Sequence, residues 1–389
     1  MSKFWNKVIT FIGIAFIFWR ILLFGLAWLG SQLLPFSPRF PYVNDILIPS
    51  GLPRWLWSFA NFDGVHYLTI AQKGYAAQFT QVFFPVYPLF IQFIHTFIPF
   101  THIIVSGLFL SNILFLFALI LFWKLLALDY NKDTIRWTII FLLSFPTSFF
   151  FGAFYTESLF LFLVLLSFYL VRKKKWWLGG LVGGVASGVR FVGIFLLPAL
   201  LWEWHKRKFK VKNENTNIVY DALRSPILYL VPLGLISYMI YLQLQFGDWL
   251  YFWHIQPIFG AERTSGTIVL LPQVIWRYIK ILQTVSYSHE IYWTSLLELL
   301  STLLAIALLV RAHIKKVRFS YLIFSWLALI TPTLTGTLSS MPRYILIIFP
   351  LYITLALTKK TIGKLGVISF FCILLFTLTV LFTRGHWVE

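Results

Sequence analysis

Apolar runs of about 20 residues recur along the whole of this 389-residue chain, the length that crosses the ~30 Å hydrocarbon core of a bilayer at ~1.5 Å per helical residue. Hydrophobic residues make up 59% of the chain and charged ones 12%, with a mean hydropathy of +0.81. That balance excludes a soluble chain of two or three domains. The sequence predicts an all-α polytopic membrane protein, a single domain over 1–389 with about 11 transmembrane helices, some of them short or re-entrant. The first run, 8–30, follows Lys3 and Lys7 as a signal peptide would. It is too long for a typical signal core and lacks a small-residue cleavage site, so it reads as an uncleaved first span. Cys372 is the single cysteine and lies in an apolar run, which leaves no disulfide framework and no cysteine metal site.

The formal charge of +19 is distributed as a topology signal rather than as a nucleic-acid groove. Cytoplasmic loops of membrane proteins are enriched in Lys and Arg. Of the 32 Lys and Arg here, 22 fall in six clusters: Lys3 with Lys7; Lys124, Lys132 and Arg136; 172–175; 205–212 with Arg224; 311–318; and 359–364. Placing all six in the cytoplasm threads the chain consistently. Span 8–30 leads out, residues 31–102 stay outside as a loop with partly inserted helices, and span 103–126 returns. Spans 137–152 and 156–171 form a hairpin, and 226–246, 290–310, 319–337, 343–358 and 365–382 follow. Residues 176–204 are flanked by basic clusters on both sides, so they enter the membrane and come back as two short segments of about 14 residues, or ~21 Å of helix each. Arg190 sits at the hinge, and the glycines of the first segment suit close helix packing.

This threading gathers Asp63, His66, Glu157, Arg190, Arg343, Asp248, Glu262, Glu290, Arg384 and His386 at or near one face, the outer one. Ionisable groups in or beside spans are costly, which makes them candidates for function. Asp63, in NFDGVHYLTIAQKGY (61–75), has two readings: a general base for a hydroxyl, or an acid capping the helix that follows. His66 lies three residues on, on the same face of that helix, suited to orienting the acid or binding phosphate. Glu157 opens a span, either as a helix-terminal acid or as part of a site. Arg190 and Arg343 each need a partner, either a phosphate held bidentately or a buried carboxylate. Tyr67 and Tyr344 flank these groups, while most of the 17 Trp and 18 Tyr read as interface belts. The acids and histidines have no convincing metal-ligand spacing, and no nucleotide-binding or serine-hydrolase motif is present. No cofactor is therefore expected, and a lipid-phosphate-linked substrate fits an outward site.

NFDGVHYLTIAQKGY with FFPVYPLF (83–90) resembles the first outer loop of the PIG-V family, the GPI mannosyltransferase 2-like proteins of the GT-C superfamily of membrane glycosyltransferases. SNILFLFAL, FPTSFFFGAFYTESLFLFL, WWLGGLVGGVASGVRFVGIFLLP, SMPRYILIIFPLY and GHWV follow in the family's order, across nearly the whole chain. The resemblance implies a GT-C bundle and a polyprenyl-phosphate-linked sugar donor, typically mannose. It also implies inverting transfer with Asp63 as the base. His66, Arg190 and Arg343 match polar positions of the motifs, and their chemistry suits donor phosphate or sugar. Phe62 stands where the family often has Trp. The chain looks more like the bacterial members, whose hosts make no GPI, which implies a bacterial plasma membrane and leaves the acceptor open among glycan, lipid and protein. Membrane lipids are the other expected partners, and nucleic acid is not expected. A transporter or flippase of lipid-linked saccharides, or an inactive scaffold relative, are the alternatives; the lack of an internal repeat argues against transport.

Overall fold

The computed structural model describes residues 2–38, 40, 42–209, 218–260 and 262–388. Residues 210–212 of the basic cluster at 205–212 lie outside them. Among the described residues every regular element is helical, as lipid demands of backbone groups that cannot reach water. Five helices or helix pairs are long and apolar enough to cross a bilayer: Trp5–Leu33, Ile103–Leu126, Pro226–Phe246, Glu290–Ile314 and Thr361–Thr383. This is an all-α, multi-pass membrane protein.

Four expected spans are interrupted, each with a proline at or beside the interruption, although Pro226–Phe246 is still long and apolar enough to cross. The span expected at 137–152 is a helix only over Lys132–Ser144. Phe145 turns extended ahead of Pro146, as the proline ring requires of its predecessor, and a 3₁₀ turn covers Ser148–Gly152. The span at 226–246 divides into Pro226–Leu230 and Leu233–Phe246 around Pro232. The span at 319–337 ends at Thr333, just after Pro332. That at 343–358 is three short pieces, Met341–Tyr344, Ile345–Ile347 and Pro350–Ala356, which Pro342 and Pro350 start. An amphipathic helix at Leu271–Thr284, absent from the sequence reading, joins them.

The chain divides into two compact units. The first comprises Met1–Ala77, Tyr87–Leu159 and Leu355–Glu389. In it the long helix Ser2–Leu33 packs against Ile103–Leu126 and Thr361–Thr383, and Lys132–Ser144 lies on the last of these. Two short helices, Asp63–Lys73 and Val86–Phe97, complete it. Gly107 is where the ring of Phe154 enters the 103–126 helix: a Cβ there would lie 2.1 Å from the ring.

The second unit comprises Gln78–Val86 and Phe160–Thr354. The helix Trp176–Val189 ends at the expected hinge, where Arg190 is extended, and the chain resumes as a 3₁₀ turn and then the helix Leu196–Phe209. Its glycines let two backbones touch: a Cβ on Gly234 would stand 2.0 Å from the Gly184 carbonyl oxygen. Glu203 and Arg318 form a two-pronged ion pair, Nε–Oε1 2.5 Å and Nη2–Oε2 2.6 Å, with Ser320 donating to the same carboxylate.

The Phe154 contact is testable. Gly107→Ala should cost about 1–3 kcal/mol by overpacking, read as a lower midpoint in detergent unfolding. Gly25→Ala, in the open on the first helix with nothing within 4 Å of its Cβ, should be neutral or stabilising by up to about 1 kcal/mol.

Candidate active site

The stretch from Asn61 to Asp63 is a tight turn in the first unit. Asn61 is fully buried. Its Nδ2 donates to the Phe382 carbonyl at 2.8 Å, and its own carbonyl accepts from the Tyr155 hydroxyl at 2.8 Å. Phe62 adopts φ 57°, ψ −121°, a conformation that a residue with a side chain holds only at a cost of about 1–3 kcal/mol. Its ring is fixed between Phe40, Phe382 and Trp387, with centroids 4.5, 5.6 and 5.2 Å away. The helix then starts at Asp63 itself. The cap position belongs to Phe62, which makes no side-chain cap bond, so Asp63 occupies the first turn, where the helix dipole favours a negative charge.

Asp63 and His66 are partly exposed on this helix, and Gly64, Val65 and Tyr67 between and beside them are buried. Burial holds His66 below its ordinary value, with the negative charge of Asp63 pulling the other way. Burial therefore favours the neutral imidazole. Tyr67 is buried and meets Tyr87 and Tyr155 edge-on at 5.4 and 6.4 Å. Phe154 donates its backbone N–H to the Phe59 carbonyl at 2.9 Å, and a Cβ on Gly64 would lie 3.4 Å from the Phe154 carbonyl oxygen. These contacts dock the segment carrying Glu157, which is 1% exposed, against the Asp63 turn. His386 lies beside Trp387, the ring that packs on Phe62.

The first unit thus holds Asp63, His66, Tyr67, Glu157 and His386. Arg190, Arg343 and Tyr344 fall in the second unit, where they converge. The guanidinium carbons of Arg190 and Arg343 lie 5.2 and 5.3 Å from the Tyr344 ring centroid, and Arg263 donates to the Tyr344 hydroxyl at 3.3 Å. Arg343 is 4% exposed, on a short helix whose cap residue, Ser340, has a left-handed backbone. Close by, Glu298 accepts from the Tyr278 hydroxyl at 2.6 Å. Sequence reasoning missed Arg263 and Glu298. Glu298 had a signal, an acid inside an apolar span; Arg263, in a polar loop, had none.

Arg20 was also missed. It sits mid-helix in Ser2–Leu33 at 7% exposure, and among the described residues none of its three guanidinium nitrogens has a hydrogen-bond partner. It lies over the rings of Phe24 and Phe59, 3.9 and 4.6 Å from their centroids, and against Gly152, whose Cβ would stand 2.5 Å from Nη1.

The family model for mannosyltransferase (PIG-V) matches residues 14–300. The chain belongs to that family, a family of glycosyltransferases. A curated relative, GPI alpha-1,6-mannosyltransferase 2 of Mus musculus, is 27% identical over 197 residues, 47% of this chain and 40% of that protein. The match spans less than half of the relative's length. No solved structure matches the chain.

Removing the Tyr155 hydroxyl isolates its bond to the Asn61 turn. Tyr155→Phe should lower stability by about 1 kcal/mol, because the Asn61 carbonyl keeps the Gly64 backbone N–H at 3.2 Å, with the loss visible as a lower unfolding midpoint in detergent.

Proposed function

We propose that the protein is a membrane mannosyltransferase that moves the sugar from a polyprenyl-phosphate donor to an acceptor hydroxyl at the extracytoplasmic face, with inversion. What supports this reading most is the Asp63 turn: a strained, buried frame that presents one partly exposed carboxylate at a helix start. In the reaction Asp63 takes the acceptor's hydroxyl proton as that oxygen bonds to the anomeric carbon. The bond from the anomeric carbon to the phosphate oxygen breaks on the opposite side, and polyprenyl phosphate leaves with the electron pair. Neutral His66 orients the carboxylate. Arg190 and Arg343, with Arg263 beside them, supply cationic donors suited to the donor's phosphate or sugar. Glu157, Tyr67, Tyr344 and His386 line these two groups of residues. The chemistry calls on no cofactor. The six basic clusters support a cytoplasmic N-terminus, and the resemblance to bacterial members supports a bacterial plasma membrane. The acceptor is a glycan, lipid or protein.

The experiment is transfer from polyprenyl-phosphate-mannose by purified protein in liposomes supplied with host lipids and glycans. Asp63→Asn should lose at least ~100-fold, as removal of a general base does, while folding as wild type. Equal rates in the two proteins would reduce Asp63 to a helix-terminal charge.

The pH profile tests the His66 role. Its folded pKa lies below the ordinary value of about 6.5, so it takes its proton in more acid solution than a free imidazole does. The resulting cation weakens the neighbouring base, so transfer should fall on the acid side with a midpoint below about 6.5. His66→Gln should remove that step. The same depression makes its contribution to stability present above the unfolded pKa and lost as pH falls through the folded one.

A further inference from the structure

Two arginines of the first unit share one aromatic ring and, among the described residues, have no acid beside them. Arg54 and Arg384 place their guanidinium carbons 5.3 and 5.4 Å from the ring centroid of Phe36. Burial, and after it the positive charge of Arg54, lowers the proton affinity of Arg384. Like charges so placed repel, and a fold tolerates them where a counter-charge arrives from outside. Among the described residues neither has an ion-pair or hydrogen-bonding carboxylate partner, and Arg384, 2% exposed, keeps its Nε buried and without a hydrogen bond.

The surroundings hold Arg384 in place. Its Cδ would lie 3.7 Å from a Cβ on Gly30, and its carbonyl accepts from the Ser37 backbone N–H at 3.0 Å. Gly385, at φ +90°, lets the following backbone approach Pro38 to a distance that a Cβ would reduce to 2.8 Å. Phe36 is braced edge-on by the buried Trp57, with centroids 5.4 Å apart. Arg54 is exposed. The pair sits where the long helices Ser2–Leu33 and Thr361–Thr383 both end, and helices long enough to span the hydrocarbon core end near lipid headgroups.

We propose that Arg54 and Arg384 form a binding site for the phosphate of a membrane lipid, gripped bidentately by one or both guanidinium groups. The phosphate comes either from a bilayer phospholipid or from a lipid-linked substrate. The site stands on the arginine pair and not on the transfer reaction, and its test uses no sugar.

Delipidated protein in dodecyl maltoside, a detergent without phosphate, is titrated with farnesyl phosphate, with phosphatidylglycerol and with farnesol while the unfolding temperature is followed. At least one phosphate lipid should raise that temperature and farnesol should not. Arg54→Met, which removes an exposed side chain, should weaken the apparent affinity about tenfold or more, the equivalent of one charge-assisted contact. Arg384→Lys should weaken it less than Arg384→Met, and Lys73→Met should leave it unchanged. A response to farnesyl phosphate alone marks the substrate lipid as the source, and an equal response to phosphatidylglycerol marks the bilayer. No response to either lipid, or a response that persists undiminished in Arg54→Met, overturns the site. Absence of sugar transfer by the wild-type protein with lipid binding intact would count against the transferase reading alone.

Discussion

Asn61 uses its side-chain amide to hold the carbonyl of Phe382 and its main-chain carbonyl to take the hydroxyl of Tyr155. Through those two bonds it joins segments separated by 321 and 94 residues. All of these groups are buried, where an intramolecular hydrogen bond is worth about 1 kcal/mol, so each segment steadies the other two. The unusual backbone of Phe62 follows from this. With Asn61 tethered on one side and the helix Asp63–Lys73 packed through Gly64 on the other, the chain has one residue in which to turn, and the aromatic contacts of Phe62 offset the strain. Asp63 inherits its direction from that turn.

Much of this was legible in the sequence, and the limits are physical. The spans at 103–126 and 156–171 match helices Ile103–Leu126 and Glu157–Arg172, because an unbroken apolar run with a polar boundary leaves lipid-embedded backbone no other choice. Where proline interrupts a run, hydropathy still reads high while the hydrogen-bond ladder stops, so 137–152 and 343–358 were overextended. The motifs named candidate residues, but their grouping depends on long-range contacts that no local pattern carries. Nothing around Asn61 in the sequence marks Phe382 as its partner. The hinge at Arg190 was readable because two short segments between basic clusters must turn somewhere.

Arginine on aromatic faces recurs throughout: Arg20 on Phe24 and Phe59, Arg54 and Arg384 on Phe36, and Arg190 and Arg343 on Tyr344. The chain has only 13 Asp and Glu against 32 Lys and Arg, so carboxylates cannot neutralise every embedded cation. Aromatic rings, 20% of the residues, take that role. A guanidinium is planar and weakly hydrated, which suits it to such a face better than an ammonium. A ring also leaves the edge of the guanidinium unoccupied, so an arginine seated this way can still grip an anion.

The tie between Asn61 and Phe382 has a consequence for biosynthesis. A ribosome adding about 5–20 residues each second needs tens of seconds to travel the 321 residues between them. Throughout that interval the first helix and the acid-bearing turn are already made, yet the amide of Asn61 lacks the carbonyl that fixes it. The site is thus among the last parts of the first unit to set, and a chain stalled before Phe382 carries Asp63 without the frame that aims it.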